Sequence, residues 1–231
     1  GVERGRGIFN DLIEAGAPCY GVTTGLGRLS TTDLSTEARD AISRNILLAR
    51  AAAFGEPLPR PVVRAMMMVR LANFLSGQDG VSADLCQFIA ARLNDDFDPF
   101  VPALGHGFAA DGTPNAHCFQ TLIGEGRVLD PDGEPVAAAA ALSARGVGPY
   151  LPGSKEGLAL INGITALPAY AIYAHRQVSA LQEFATLVAA VSLEALAAPK
   201  DAIHPALAQL NWSGVGKVIA RLNQLLKGIT V

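Results

Sequence analysis

Charge is scarce in this sequence. Only 17% of its 231 residues are Asp, Glu, Lys or Arg, and the formal net charge is −3. Lys and Arg are scattered, so there is no basic patch, and nucleic acid is not an expected partner. Cysteine is scarcer still. Cys19, Cys86 and Cys118 are odd in number and far apart, which excludes a disulfide framework and reads as reduced intracellular thiols. No apolar run reads as a membrane span and no signal-peptide pattern opens the chain. The expected compartment is therefore the cytoplasm, with no membrane partner. The first residues fall inside an amphipathic segment, so the native start is expected further upstream. His106, His117, His175 and His204 lack metal-ligand spacing, and no metal is expected. Gly105-His106-Gly107 is not set in the strand–turn–helix unit that a dinucleotide fingerprint needs. There are no internal repeats and no low-complexity linker.

Apolar residues make up 50% of the chain, enough for a sizeable core and an interface besides. Their spacing is helical. Val2 to Ala15 reads as a helix with Ile8, Leu12 and Ile13 on one face, and Thr36 to Ala53 as a second through Ile42, Ile46 and Leu47. Pro59 and Pro61 open a third, which runs through Val63, Met66, Met67 and Leu71 to about Leu75. Gly77-Gln78-Asp79-Gly80 breaks it, and Ser82 caps a fourth through Leu85, Ile89 and Leu93. Asp95 to Thr113 reads as a loop, and Pro114 suits the first turn of the next helix. Residues 126–136, with Pro131-Asp132-Gly133 at the tip, read as a small β-hairpin, the one β structure expected. Val136 to Ala144 is a short Ala-rich helix, and Gly214 to Lys227 a last amphipathic one through Val218, Ile219, Leu222 and Leu226.

The longest element is central. Thr165 is placed to cap it, Pro168 fits its first turn and Pro199 lies where it stops. The helix expected over about 166–198 has roughly 30 residues, or about 45 Å at 1.5 Å per residue. From Phe184 to Ala198 only Thr186, Ser192 and Glu194 are polar, so this helix is expected to be buried all round, with neighbouring subunits covering it. The reading is a single mainly α domain over 1–231, a bundle of long helices, with glycine-rich loops at 17–30 and 97–113 as its site loops.

Several stretches resemble one family. Lys155-Glu156-Gly157-Leu158-Ala159-Leu160-Ile161-Asn162-Gly163 is similar to the motif before the central helix of the aromatic amino acid ammonia-lyases and aminomutases. These enzymes use a self-made methylidene-imidazolone (MIO) electrophile. Tyr20-Gly21-Val22-Thr23-Thr24-Gly25-Leu26-Gly27 resembles the family's Tyr-Gly-Val-Asn-Thr-Gly-Phe-Gly loop, whose tyrosine removes the substrate β-proton. A tyrosine does this only if neighbours pull its pKa down from about 10. The resemblance therefore implies the N-terminal half of the ammonia-lyase fold, with Tyr20 as acid/base. Asn162 falls beside the electrophile or the substrate amine. Gly27, Arg50 and Phe108 fall among the substrate-binding positions, for a small-molecule substrate. Without the resemblance, a tyrosine in a glycine loop is a packing residue, and an Asn-Gly pair bonds local backbone. Lys155 and Glu156 are given no chemistry.

Three departures shape the expectation. The family's electrophile segment carries Ala-Ser-Gly. Here Val101, Pro102 and Gly105 match before it, and Pro114, Ala116 and His117 after it, but the nearest triad is Ala110-Asp111-Gly112. MIO formation requires the central residue to lose a hydroxyl as water, and Asp111 has none. MIO is not expected to form, so no cofactor is expected. The Ser-His pair that marks histidine-type enzymes is replaced by Ala49-Arg50. Arg50 either meets an acidic group or is an ordinary surface helix residue. Finally, the resemblance covers only the N-terminal half of a typical member. The expected protein is thus either an MIO-less enzyme acting on an amino acid or related group, or a non-catalytic subunit. A homo-oligomer is expected, or a hetero-oligomer with a chain supplying the missing C-terminal half.

Overall fold

The computed structural model describes residues 1–106, 110–209 and 212–228. It divides into two compact units, Gly1–Tyr173 and the chain from Ala174 onward.

The first unit begins with α1 (Val2–Glu14) and α2 (Thr36–Arg50). In α1 the inward residue is Phe9, while Ile8 and Leu12 are exposed, so the helix forms where expected but turns another face inward. In α2, Ile46 and Leu47 are buried as their spacing predicts. This helix stops at Arg50 and the chain runs on into β1 (Phe54–Pro57), short of the Ala53 expected. Two helices follow, α3 (Arg60–Leu75) and α4 (Ala83–Asn94). Pro61 sits in the first turn of α3, where a missing N–H leaves no bond unmade. The Leu85 N–H donates to Ser82 Oγ at 3.1 Å, the cap the sequence announces. Met66, Met67, Phe74, Leu85 and Ile89 are fully buried where these helices join the core.

The stretch expected to be only a loop contains β2 (Asp98–Pro99) and β3 (Pro102–Leu104). β3 pairs antiparallel with β1. β2 joins the edge of the expected hairpin, β4 (Arg127–Leu129) and β5 (Pro135–Ala137), as a three-stranded antiparallel sheet. Pro57, Pro99 and Pro102 hid these strands, since proline inside a run argues against one. The hairpin tip closes with the Glu134 N–H donating to Asp130 Oδ1 at 2.9 Å.

Between the sheets lies α5 (Gly112–Phe119), and after the hairpin come α6 (Ala138–Ala144) and α7 (Glu156–Ile161). The buried carboxylate of Glu156 accepts from the Ser82 N–H (2.9 Å), the Ser82 hydroxyl (2.6 Å), the Tyr150 hydroxyl (2.8 Å) and the Gly153 N–H (2.7 Å). Four donors offset the cost of burying that charge, which makes Glu156 a structural residue. Burial pushes the Tyr150 hydroxyl above its ordinary range. α7 packs on α2 so closely that a Cβ on Gly157 would lie 1.8 Å from the Ser43 carbonyl oxygen. Only glycine permits that approach.

The long helix is α8 (Ala166–Ala195). Leu181, Phe184 and Val191 are 65%, 64% and 58% exposed in this chain, so the chain alone does not bury its apolar length. The segment Glu156–Ala195 is also long and apolar enough to cross a membrane by length and composition, contrary to the sequence reading. A core helix of a soluble protein passes the same test. In the second unit, α9 (Ser213–Leu225) buries Ile219 and Leu222 with Ala190, Ile203 and Leu226. All three cysteines are free.

Candidate functional site

A cavity of about 370 Å3 in the first unit gathers residues from four stretches of chain. Tyr20 and Leu26 come from the glycine loop, and Ile46, Ala49 and Arg50 from the C-terminal end of α2. Gly112 and Thr113 come from the first turn of α5, and Leu158, Ile161 and Asn162 from α7 and its end. The lining is mostly aliphatic, and among the described residues Arg50 supplies its one formal charge. An apolar body with one anionic group is the ligand such a lining suits.

Each polar group is positioned by identifiable contacts. The Tyr20 hydroxyl oxygen accepts the Gly27 N–H at 3.0 Å, so the loop folds back on its own tyrosine. Gly27 is committed to that bond and does not line the cavity. Arg50 ends α2 with its side chain exposed at the cavity. Asn162 follows the last turn of α7, and the chain around it is held by Asn115. The Asn115 side-chain amide donates to Ile161 O at 3.0 Å and Gly163 O at 3.1 Å, and the Thr165 hydroxyl donates to Asn115 Oδ1. Asn115 is completely buried. Sequence reading passed over it, although it lies between the matching Pro114 and Ala116.

Asp111 takes an unexpected part. Its Oδ2 accepts the N–H of Thr165 at 2.8 Å, of Ala166 at 2.8 Å and of Leu167 at 3.4 Å. These are first-turn donors of α8 that have no partner within the helix. The carboxylate also meets the positive end of the helix dipole. The cap of α8 thus comes from Asp111, while the Thr165 side chain, expected to cap, bonds Asn115 instead. Ala110 and Asp111 both have positive φ, 58° and 28°. Neither lines the cavity, although Gly112 does. Phe108 lies outside the described residues.

Arg70 of α3 lies beneath the same turn. It is 2% exposed, and its Nε and Nη2 have no hydrogen-bond partner among the described residues. A Cβ on Gly163, whose φ is 112°, would come within 3.0 Å of Arg70 Nη1. Burial lowers the affinity of Arg70 for its proton, with Asp79, Cys118 and Asp111 acting the other way. Among the described residues no cluster of His, Cys, Asp or Glu is arranged to hold a metal ion.

The model of the family described as aromatic amino acid lyase matches residues 1–231. The histidine ammonia-lyase of Streptomyces avermitilis is 37% identical over 225 residues, covering 96% of this chain and 44% of that protein. The histidine ammonia-lyase of Gloeobacter violaceus is 37% identical over 205 residues, covering 88% of this chain and 40% of that one. Among solved structures, the tyrosine aminomutase of Streptomyces globisporus superposes with a TM-score of 0.86 at 29% identity, over 99% of this chain and 44% of that one. The chain therefore spans less than half the length of the curated relatives it matches.

Proposed function

This chain belongs to the aromatic amino acid lyase family, and we propose that it handles an α-amino acid or related compound in the Tyr20 cavity, without an MIO electrophile. The observation that carries this reading is the convergence of Tyr20, Arg50 and Asn162 on one cavity of about 370 Å3. In the proposed mechanism Arg50 pairs with an acidic group of the substrate. The aliphatic walls exclude water from its body. The Asn162 side chain orients the amine, and Tyr20, held by the Gly27 N–H, takes and returns a proton as general acid/base.

Ala110-Asp111-Gly112 do not fit the MIO group. Asp111 has no hydroxyl to eliminate, and its carboxylate is engaged by the first turn of α8. Without that electrophile the electrons of a breaking C–N bond have no sink, so ammonia release is not part of the proposed reaction. The proposed step is proton exchange at the carbon next to the substrate carboxylate that Arg50 pairs, that carboxylate taking up the C–H electron pair as an enediolate and releasing it when the proton returns.

A second reading, of a non-catalytic subunit, is favoured by the exposed apolar residues of α8. In either case we propose an oligomer, formed with further copies or with a chain that supplies the remaining length of the family fold. The proposed compartment is the cytoplasm.

The test is solvent deuterium exchange at the carbon next to the side-chain carboxylate of glutamate and of aspartate, with the aromatic amino acids as controls, together with direct binding. The expected result is binding and exchange for an amino acid with an acidic side chain, reduced about 10²-fold or more in Tyr20→Phe and weakened in Arg50→Met. Exchange unchanged in Tyr20→Phe overturns the assigned role. Binding without exchange selects the non-catalytic reading.

A further inference from the structure

We propose that a second cavity in the first unit, lined by Phe54, Phe100, His117, Gln120 and Arg127, binds a small carboxylate with a flat apolar body. Its volume is about 300 Å3, at the lower end of the range for small-molecule sites. It adjoins two of the stretches of chain that line the Tyr20 cavity and adds Phe100 and Arg127. Arg50 and Ala52 with Gly112 and Thr113 line the first, and Ala53 and Phe54 with His117 and Gln120 line the second. The proposal does not rest on any reaction at Tyr20.

The charge comes from one side chain. The Arg127 guanidinium lies 4.2 Å from the centroid of the Phe100 ring. It is exposed, and no carboxylate pairs with it among the described residues. Stacking on a ring leaves the in-plane N–H groups free to grip a carboxylate. Among the described residues no lining residue is acidic, so the field at the cavity favours an anion.

His117 supplies a polar floor rather than charge. Its Nε2 accepts the Ala53 N–H at 2.9 Å, and the Gln120 amide lies 3.3 Å from Nδ1. Burial, then the neighbouring His106 and Arg127, push the His117 imidazole down to about 4, so it is neutral near pH 7. The apolar contact comes from Phe100 and from Phe54, a residue 64% exposed that offers a ring to a flat ligand.

Benzoate is the probe, with benzyl alcohol as its neutral analogue and inorganic phosphate as an anion without an apolar body. Each is titrated into the whole chain, followed by calorimetry and by the imidazole NMR signals of His117. Saturable benzoate binding that raises the His117 protonation midpoint is expected, with both controls at least about tenfold weaker. Arg127→Met and Phe54→Ala should each weaken benzoate, and Arg50→Met should leave the His117 response intact. Absence of saturable binding overturns the proposal, as does benzoate affinity unchanged in Arg127→Met. A response lost in Arg50→Met but kept in Arg127→Met assigns the ligand to the first cavity and also overturns it. Phosphate binding as tightly as benzoate overturns the apolar-body assignment.

Discussion

Asp111 Oδ2 accepts the Thr165 N–H at 2.8 Å across 54 positions of sequence. A residue of the segment that resembles the family's electrophile loop caps the longest helix among the described residues. Asp111→Ala should therefore destabilise the chain by about 1–2 kcal/mol, the sum expected for a lost N-cap and an unanswered helix dipole. Asp111→Asn, which keeps an acceptor but not the charge, should cost less. Urea unfolding of the three proteins measures both, and equal stability of Asp111→Ala and the parent chain rules out the capping role.

The proposal that no MIO group forms rests on the same position. The intact mass should equal the sequence value, because Asp111 offers no hydroxyl to leave. Asp111→Ser alone should not restore dehydration, since the segment between the matching flanks is about one residue shorter than the family pattern and Arg50 still stands where the family has His. Mass spectrometry decides. A parent mass two waters below the sequence value, or cinnamate or urocanate release above a no-enzyme control, would return the chain to conventional family chemistry.

Gly157→Ala should be among the most damaging single changes. The new Cβ would meet the Ser43 carbonyl oxygen, which lies 1.8 Å from its ideal position. Backbone on backbone cannot give way by a rotamer change, so α7 must move off α2 at a cost of about 1–3 kcal/mol or more. Asn162 would move with it. Thermal melting together with ligand affinity at the Tyr20 cavity reports both effects. Unchanged stability would show that the two helices do not approach this closely.

The half-buried ring of His117 makes a pH-dependent contribution. Its folded-state pKa is lowered from 6.5 to about 4, chiefly by burial, so the unfolded chain binds the proton more readily. The contribution is fully present above about pH 6.5 and is lost as pH falls from there through 4. His117→Gln should flatten that part of the stability profile relative to the parent chain, measured as urea midpoints at successive pH values. Parallel profiles would remove His117 as the cause.

Light scattering tests the apolar length of α8. Leu181, Phe184 and Val191 each leave more than half of their surface open, and a contiguous apolar face of this kind marks an association surface. The purified chain, alone or with a chain carrying the rest of the family fold, should run as an oligomer. A well-behaved monomer would contradict this.

The helices and the hairpin were legible because their signals are local. Pro61, Ser82 and Pro131-Asp132-Gly133 each act within a few residues of where they stand. The β1–β3 pair was not, because prolines and a glycine occupy its strands and its partner lies far along the chain. Long-range polar chemistry was equally hidden. Nothing in the pattern around Asp111 announces Thr165, and nothing around His117 announces the Ala53 N–H. The gathering of Tyr20, Arg50 and Asn162 around one cavity followed from family resemblance and not from periodicity. The same is true of Gly157, whose reason for being glycine is visible only against Ser43.

The engaged carboxylate of Asp111 also bears on how the molecule ages. An Asp-Gly pair is prone to slow ring closure, in which the following amide nitrogen attacks the side-chain carboxyl and the ring reopens as isoaspartate. Attack needs the carboxyl to be uncharged and free to swing back toward its own backbone. Here its Oδ2 is engaged by the N–H groups of Thr165 and Ala166, which restrains the carboxyl from swinging back. Isoaspartate should accumulate at this pair far more slowly in the folded chain than in a free peptide of the same sequence, and peptide mapping of stored protein would reveal the difference.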